Sequence, residues 1–480
     1  MLLFLLKKLK KETKISYNKY INERWRDFMF TNNYVRQVFE DFCNKNKGQD
    51  EYIQACQEIL SSLQLMIDKN PELEKQHVLE RFLEPDRFIQ FKVAWLDDNN
   101  NIQVNRGFRV QYNNSIGPYK GGIRFHPSVN ESIIKFLGLE QCLKNSLTTL
   151  PIGGAKGGSD FDPKGKSDFE IMRFCQAFMT ELYRHIGHNV DVPAGDIGVG
   201  KKEVGYMFGQ YKRIQNEFTG VFTGKPLEFG GSLVRMQATG YGLCYFTNKA
   251  LEVLKNDSFK GKLVSVSGAG NVAIYAAEKA IQLGGKVITM SDSSGWIYDE
   301  NGIDIDIIKQ IKEVEKLRIK EYASRVKSAK YVESNGKNPT IWSIKCDIAL
   351  PCATQNELTL EDAKQLVKNG VVAVCEGANM PTTLDATDYL ISNNVIYGPG
   401  KAANAGGVAT SALEMSQNSM RMSWSSDEVD EKLKEIMEHI FYNVYETSKK
   451  YNIKENDLLT GANIAGFEKI ANAIILQGVI

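Results

Sequence analysis

Apolar residues recur at helical intervals through residues 17–81, a stretch rich in Lys, Glu, Gln and Leu, and the spacing predicts helices there. The pattern then changes period. In RFIQFKVAWLDDNNNIQVNRGFRVQYN, residues 87–113, apolar and polar positions alternate about an Asp/Asn turn, which predicts a β-hairpin. A helix is expected from about Asn130 to Leu147, then a short strand leading into a glycine-flanked turn at Lys156. Ser167 to Glu170, SDFE, reads as a capping box opening another helix, with Ile171, Phe174, Cys175, Phe178 and Leu182 at helical spacing. NVDVPAGDIGVG reads as a brief strand that breaks into a loop at Pro193.

The character changes again near Gly230. Residues 262–295, KLVSVSGAGNVAIYAAEKAIQLGGKVITMSDSSG, read as strand, glycine turn, helix and strand. CDIALPC, VVAVCEGAN and VIYGPG add strand-like runs between helical segments, the alternation of a parallel sheet with helices on both faces. From about Asp427 the pattern is helical to the end. The expected fold is therefore α/β in two domains. Residues 1–229 form the first (1–25 a possible extension), 230–426 a Rossmann-like domain, and 427–480 helices that return toward the first.

Bulk properties narrow the class. A chain of 480 residues is long for one core. A net charge of +1 leaves no general footprint for nucleic acid or an anionic membrane. The eight cysteines are scattered without a CxxC pair, which fits reduced thiols and a cytoplasmic setting. The five histidines form no HExxH or Cys/His cluster, so no protein-bound metal is expected. The start, MLLFLLKKLKKETK, places its apolar run before its lysines, unlike a secretory signal, and reads as an amphipathic helix, with organellar targeting left open. No other run is long and apolar enough to span a bilayer.

Two kinds of chemistry stand out. Gly268-Ala269-Gly270-Asn271-Val272-Ala273 matches GxGxxA between strand and helix, where glycines permit a tight turn and close backbone approach to a pyrophosphate. The next strand ends in Asp292, suited to a ribose hydroxyl and hence to NAD. Ser293 and Ser294 beside it suit a 2′-phosphate, with Lys312 in the following helix as the cation, and favour NADP. Earlier in the chain, Lys120 and Lys156 each stand beside glycine pairs, and Lys144 shares a helical stripe with Ile133, Leu137 and Gln141. Three lysines in successive turn, helix and turn elements suggest a site for an anion with more than one carboxylate. Asp196, in a glycine-rich loop, is a candidate general acid/base. The glycines around Lys156 are expected to make room for a substrate, and crowding by the other lysines to lower its pKa.

GPYKGGIRFHPSV, LPIGGAKGGSDFDPKGKS, DVPAGDIGVG, CATQNELT, EGANMPTT and KAANAGGVATSALEMSQNS together closely resemble the hexameric glutamate dehydrogenases of bacteria and lower eukaryotes, from about Leu83 to the end. The resemblance implies reversible reductive amination of 2-oxoglutarate with ammonia to L-glutamate, using NADP(H) with NAD possible. It implies a homohexamer formed largely through the first domain. By the same resemblance Lys156 and Asp196 are catalytic; Lys144, Gln141 and the Gly195 backbone hold the α-carboxylate; Lys120 and Ser411 hold the distal carboxylate; Arg235, Thr239 and Asn271 contact the cofactor. Residues 303–342 match the family loosely, and residues before about Trp25 have no counterpart.

Rival readings meet specific obstacles. A dehydrogenase of branched-chain or aromatic amino acids needs an apolar distal pocket, against which Lys120 and Ser411 argue. DPKGKS mimics the end of a phosphate-binding P-loop, but Asp160 stands where that loop needs glycine. A non-catalytic nucleotide sensor is expected to have lost Lys156 or Asp196, and both are present.

Overall fold

Alternation about the Asp/Asn turn closes the hairpin where expected: β1 (Arg87–Leu96) pairs antiparallel with β2 (Ile102–Asn113). The computed structural model describes residues 30–336 and 338–480. The amphipathic helix expected at the start, and the possible extension 1–25, lie outside them. Within residues 33–83 the chain is helical, with Asn33–Lys45 and Asp50–Lys69 the longer segments.

The hairpin belongs to a mixed five-stranded sheet with β3 (Tyr119–Phe125), β4 (Gly154–Ser159) and β5 (Asp191–Gly195), in the order β1-β2-β4-β3-β5. Three expectations are corrected here. Lys120 and Lys156 lie on strands, not in turns, because the glycines let strands pack where side chains cannot fit. β5 does not break at Pro193 but runs through it to Gly195. β5 is an edge strand of this sheet, where proline's missing donor is tolerated, and the Pro193 carbonyl accepts from Thr223 N at 2.9 Å.

What the glycines accommodate is protein rather than substrate. A Cβ on Gly154 would meet Cys142 Sγ at 2.1 Å, one on Gly158 the Arg124 carbonyl at 2.5 Å, and one on Gly121 the Ala155 carbonyl at 1.6 Å. Gly157 leaves the space taken by Arg109, whose Cδ would stand 3.1 Å from a Cβ there. Arg109 reaches from β2 past β4 and β3 to Asp191 on β5, donating through Nε to Oδ2 at 2.9 Å and through Nη2 to Oδ1. Its Nη1 donates to the Gly121 carbonyl at 3.0 Å on the way. Both side chains are fully buried.

Successive strand residues face opposite ways, and the register assigns the faces. Arg109 lies opposite Gly157, so Lys156 points to the other side, toward the helix Glu131–Leu147, whose Cys142 packs against β4 at Gly154. Arg124 pairs with Gly158 and shares that side with Lys120, two steps of two residues away. Phenylalanines 125, 161, 174 and 178 fill the core beneath the opposite face, along the helix Asp168–Leu182 that Ser167 and Glu170 open with the expected capping box.

The second sheet has seven strands: β6 (Leu263–Val266), β7 (Lys286–Asp292), β8 (Gly295–Tyr298), β9 (Lys330–Glu333), β10 (Ile348–Leu350), β11 (Ala373–Cys375) and β12 (Ile396–Gly398), in the order β12-β11-β10-β6-β7-β8-β9. The five from β12 to β7 are parallel, as the strand–helix alternation predicts. β8 and β9 extend it antiparallel. The C-terminal helices span both cores: Val429, Leu433 and Met437 of Ser426–Lys450 pack with the second sheet, whereas Ile464, Phe467 and Ile470 of Leu458–Gln477 pack with the helices of the first.

Truncating Arg109 to alanine strands the buried Asp191 charge and is expected to cost about 3–5 kcal/mol. Urea unfolding of Arg109→Ala beside the parent chain measures this; a loss under about 1 kcal/mol contradicts the pair's structural role.

Candidate active site

β5 ends at Gly195, and the chain turns at once: Val199 N donates to the Asp196 carbonyl at 2.9 Å, and Gly198 takes a φ of +72°. The turn swings the Asp196 carboxylate over β3, where the absent side chain of Gly122 leaves room; a Cβ there would stand 3.0 Å from that of Asp196. Lys156 Nζ lies 2.9 Å from Asp196 Oδ2, and Arg124 Nε lies 2.8 Å from the same oxygen. The Lys156 side chain is 8% exposed and that of Asp196 21%. Burial lowers the Lys156 ammonium below its ordinary range despite Asp196, with Arg124 and Arg109 adding repulsion. The crowding expected from the other lysines thus comes chiefly from arginines. Burial pushes the Asp196 carboxyl up, but Lys156 and Arg124 outweigh it and hold it at about 2.

Lys144 and Gln141 face the same cavity, of about 450 Å³, together with Ile133 and Leu137, so the polar break in that helical stripe marks a pocket as expected. The Lys144 ammonium meets Asn404 Oδ1 from the second domain, and Asn404 Nδ2 in turn donates to the Ala378 carbonyl at 3.0 Å and to Asn379 Oδ1 at 3.1 Å. Gln141 donates within its own helix to Asn145 at 2.6 Å. Burial, then Lys156, lowers Lys144 to about 8. The cavity is not purely cationic: Glu51, Glu58, Glu140 and Glu376 also line it, and burial raises Glu140 to about 7. These acids come from two helices, with Glu51 and Glu58 on one and Glu140 on the other, and from the end of β11, so no acidic run announces them.

Lys120 is 1% exposed. Burial first, then Arg235 and Arg109, lower its ammonium to about 7, against the opposing pull of Glu414 and Asp191. Ser411 lies on the helix Gly406–Met420 and accepts from Arg235 Nε at 3.1 Å. Arg235, expected at the cofactor, is thus joined to the residues expected at the distal carboxylate. Thr239 sits beside it, close over Gly407, where a Cβ would meet its Oγ1 at 2.6 Å.

In the second domain Gly268 takes a φ of +87°, and the helix Asn271–Gln282 starts directly after Gly270. A Cβ on Gly270 would meet nothing within 4 Å, so the turn leaves an open cradle at a helix N-terminus, the arrangement that suits a pyrophosphate. Val272 continues the turn into the helix, and Ala273 is fully buried beneath it. Asp292 ends β7 with both oxygens engaged: Oδ1 accepts from Ser294 N at 2.9 Å and Ser294 Oγ at 2.6 Å, and Oδ2 from Ile319 N at 2.8 Å, with Lys312 Nζ at 3.4 Å. Burial opposes its ionisation, but these donors outweigh it and lower its pKa. Ser293 Oγ instead accepts from Arg318 Nη1 at 2.6 Å. Arg318 went unrecognised in the sequence because it lies beyond the turn of π-helix Gln310–Val314 that carries Lys312. Arg124 and Asn404 were also missed, although Arg124 sits in the same alternation as Lys120.

Two features, a dinucleotide cradle in the second domain and a lysine–aspartate pair in the first, fit an oxidoreductase architecture, and comparison with known proteins gives its family. The Glutamate/Leucine/Phenylalanine/Valine dehydrogenase model matches residues 230–478 and the Glu/Leu/Phe/Val dehydrogenase dimerisation domain residues 85–213. The chain belongs to this family. An NADP-specific glutamate dehydrogenase of Helicobacter pylori is 57% identical over 450 residues, 93% of this chain and 100% of that one. An NAD-specific glutamate dehydrogenase of Bacteroides fragilis is 54% identical, over 93% of this chain and 100% of that one. Among solved structures, Plasmodium falciparum glutamate dehydrogenase superposes with a TM-score of 0.90 at 53% identity, covering 93% of this chain and 95% of that one.

A lysine with a depressed pKa is disfavoured as its charged form, so the unfolded chain binds more protons between about pH 7 and 10 and stability rises with pH over that window. Lys120→Met is expected to flatten the rise by about 1 kcal/mol per pH unit, read from urea unfolding at pH 7, 8 and 9; parallel curves for the two proteins contradict a buried, uncharged-leaning Lys120.

Proposed function

We propose that this chain is a glutamate dehydrogenase that reversibly aminates 2-oxoglutarate with ammonia to L-glutamate, using NADP(H), with NAD as the alternative cofactor. The observation that carries the reading is the Lys156–Asp196 pair, 2.9 Å apart, with Lys156 on the cavity that Lys144 also lines. Lys144, Gln141 and the Gly195 backbone hold the α-carboxylate, which displaces Asn404 from the Lys144 ammonium. Lys120 and Ser411 hold the distal carboxylate, whose negative charge restores the protonated form of a lysine that burial has weakened. Protonated Lys156 donates to the 2-oxo oxygen as ammonia adds to the carbon, offsetting charge that develops there. The Asp196 carboxylate accepts a proton from the added nitrogen. Water leaves as the imine forms, and in the reverse direction neutral Lys156 activates that water.

The cradle fits a dinucleotide: Gly268 turns, Gly270 leaves space, and Asn271 and Val272 open the helix; Gly240, next to Thr239, packs against the Val272 carbonyl, and Thr239 and Arg235 are the further cofactor contacts. When bound, the cofactor supplies the hydride that reduces the imine. Asp292 is engaged in holding the segment from Lys312 to Ile319, while Ser293, Arg318 and Lys312 present donors and positive charge beside it. This supports a 2′-phosphate and so NADP. The first domain, residues 1–229, binds substrate and builds the oligomer, the second binds the dinucleotide through residues 230–426, and the helices of 427–480 link them. A homohexamer is supported by the dimerisation-domain match and by the apolar Ile102 and Val104, 76% and 62% exposed on the hairpin. A cytoplasmic setting is supported by cysteines that form no disulfide among the described residues.

Initial rates are expected to be far higher with 2-oxoglutarate than with 2-oxoisocaproate, and Lys156→Ala to lose about 10²–10⁴ in kcat while NADPH binding, followed by fluorescence, survives. Near-parental turnover by that variant contradicts the assignment. Arg318→Ala is expected to raise KM for NADPH about tenfold, the worth of one charge-assisted hydrogen bond, and to leave KM for NADH nearly unchanged; equal effects on both coenzymes place Arg318 away from the phosphate.

A further inference from the structure

Asp196 meets two cations on one oxygen, and they are chemically unlike. Lys156, from β4, exchanges its proton during the reaction. Arg124, from β3, carries a guanidinium, a side chain that donates hydrogen bonds and does not serve as a proton acceptor. Its Nε lies 2.8 Å from Oδ2, its side chain is 16% exposed, and it lines the cavity with Lys144 and Lys156. The backbone fixes it there: Arg124 pairs with Gly158 across the parallel β3–β4 ladder, and the following residue, Phe125, is buried among Phe161, Phe174 and Phe178 with its N bonded to the Ile197 carbonyl at 2.9 Å. The turn bearing Asp196 is thus tied to the Arg124 strand by backbone as well as by charge.

Other charges surround Asp196 among the described residues. Lys156 comes from β4 and Lys144 from the helix Glu131–Leu147; Arg109, from β2, acts on Lys156 from the far face of the sheet; Lys164 and Glu203 line an open surface pocket with Asp196; Glu140 and Glu376 lie on the cavity that Lys156 lines. When Lys156 is neutral, Arg124 is the cation still bonded to the carboxylate. We propose that Arg124 is a positioning residue for the reaction: it holds Asp196 against Lys156 and keeps the carboxylate ionised, ready to accept a proton, through the states in which Lys156 has lost its own. Arg124 itself exchanges no proton and bonds to no reacting atom.

The inference rests on the amino-acid dehydrogenase reading and is tested separately from it. Removing the permanent cation favours the protonated carboxyl, so activity that needs the ionised form fails at a higher pH. The acid limb of kcat for 2-oxoglutarate amination is therefore expected to move up by about one pH unit or more in Arg124→Gln, with KM within about threefold of the parent. Arg124→Lys keeps a charge without the Nε geometry: its limb stays at the parental pH while kcat drops about tenfold. An active parent whose limb coincides with that of Arg124→Gln overturns the role of Arg124 alone, whereas a parent inert toward every 2-oxo acid overturns the dehydrogenase reading. Melting curves establish whether each variant folds. Should Arg124→Gln not fold, Arg124→Lys decides by itself, a parental kcat overturning the proposal and a lowered kcat with an unmoved limb supporting it.

Discussion

The buried Arg109–Asp191 pair is the constraint on which the catalytic face depends. Strands as rich in glycine as YKGGIRF and GAKGGS have little side-chain surface with which to hold their spacing. The arginine supplies it from behind, crossing β4 and β3 and ending on β5. Burying two charges is costly, and an apolar pair of similar volume is often the more stable choice. What an apolar pair lacks is direction. The bidentate bond, with Gln111 Nε2 adding a donor to Asp191 at 3.2 Å, sets β2 and β5 at one separation, and Lys156, Lys120, Arg124 and Asp196 ride on the strands so fixed.

The same arginine acts on the other face electrostatically. Its charge is among those that lower both Lys120 and Lys156, so one side chain both spaces the strands and conditions the amines they carry. Across the cleft, Asn404 of the second domain meets Lys144 of the first. A fully buried pair, Lys225 with Glu414 at 3.0 Å, anchors the helix of Ser411 to the loop leaving the first domain. How the two domains meet therefore decides the hydrogen-bond partner of Lys144 directly.

Much of this was legible in the chain. Alternation disclosed the hairpin, SDFE the capping box, GxGxxA the cradle, and the break at Gln141 and Lys144 the pocket-facing stripe, because each is a local pattern with a local cause. The glycine-flanked lysines were misassigned to turns for an equally physical reason. Glycine marks both a chain reversal and a strand pressed against other backbone, and only long-range register distinguishes them. Pro193 misled similarly, since its place at a sheet edge is a tertiary fact. β8 and β9 are separated by more than thirty residues, so their pairing leaves no hairpin signal. Arg124, Arg318, Asn404 and the cavity's glutamates acquire their roles from partners distant in sequence.

Once Lys120 and Arg124 are placed on one strand, the strand sets the spacing between them. Four residue steps along β3 separate them, about 13 Å of extended chain, and their side chains leave the same face of the sheet. One end holds a buried amine suited to a distal carboxylate. The other holds the guanidinium that fixes Asp196 and, through it, Lys156. Because β3 and β4 are hydrogen-bonded in register and strapped from behind, the distance from Lys120 to Lys156 cannot adjust by sliding one strand past the other. Under the proposed function, a terminal carboxylate that fails to reach Lys120 leaves a buried amine unpaired, so this fixed spacing would add to charge in selecting the acid.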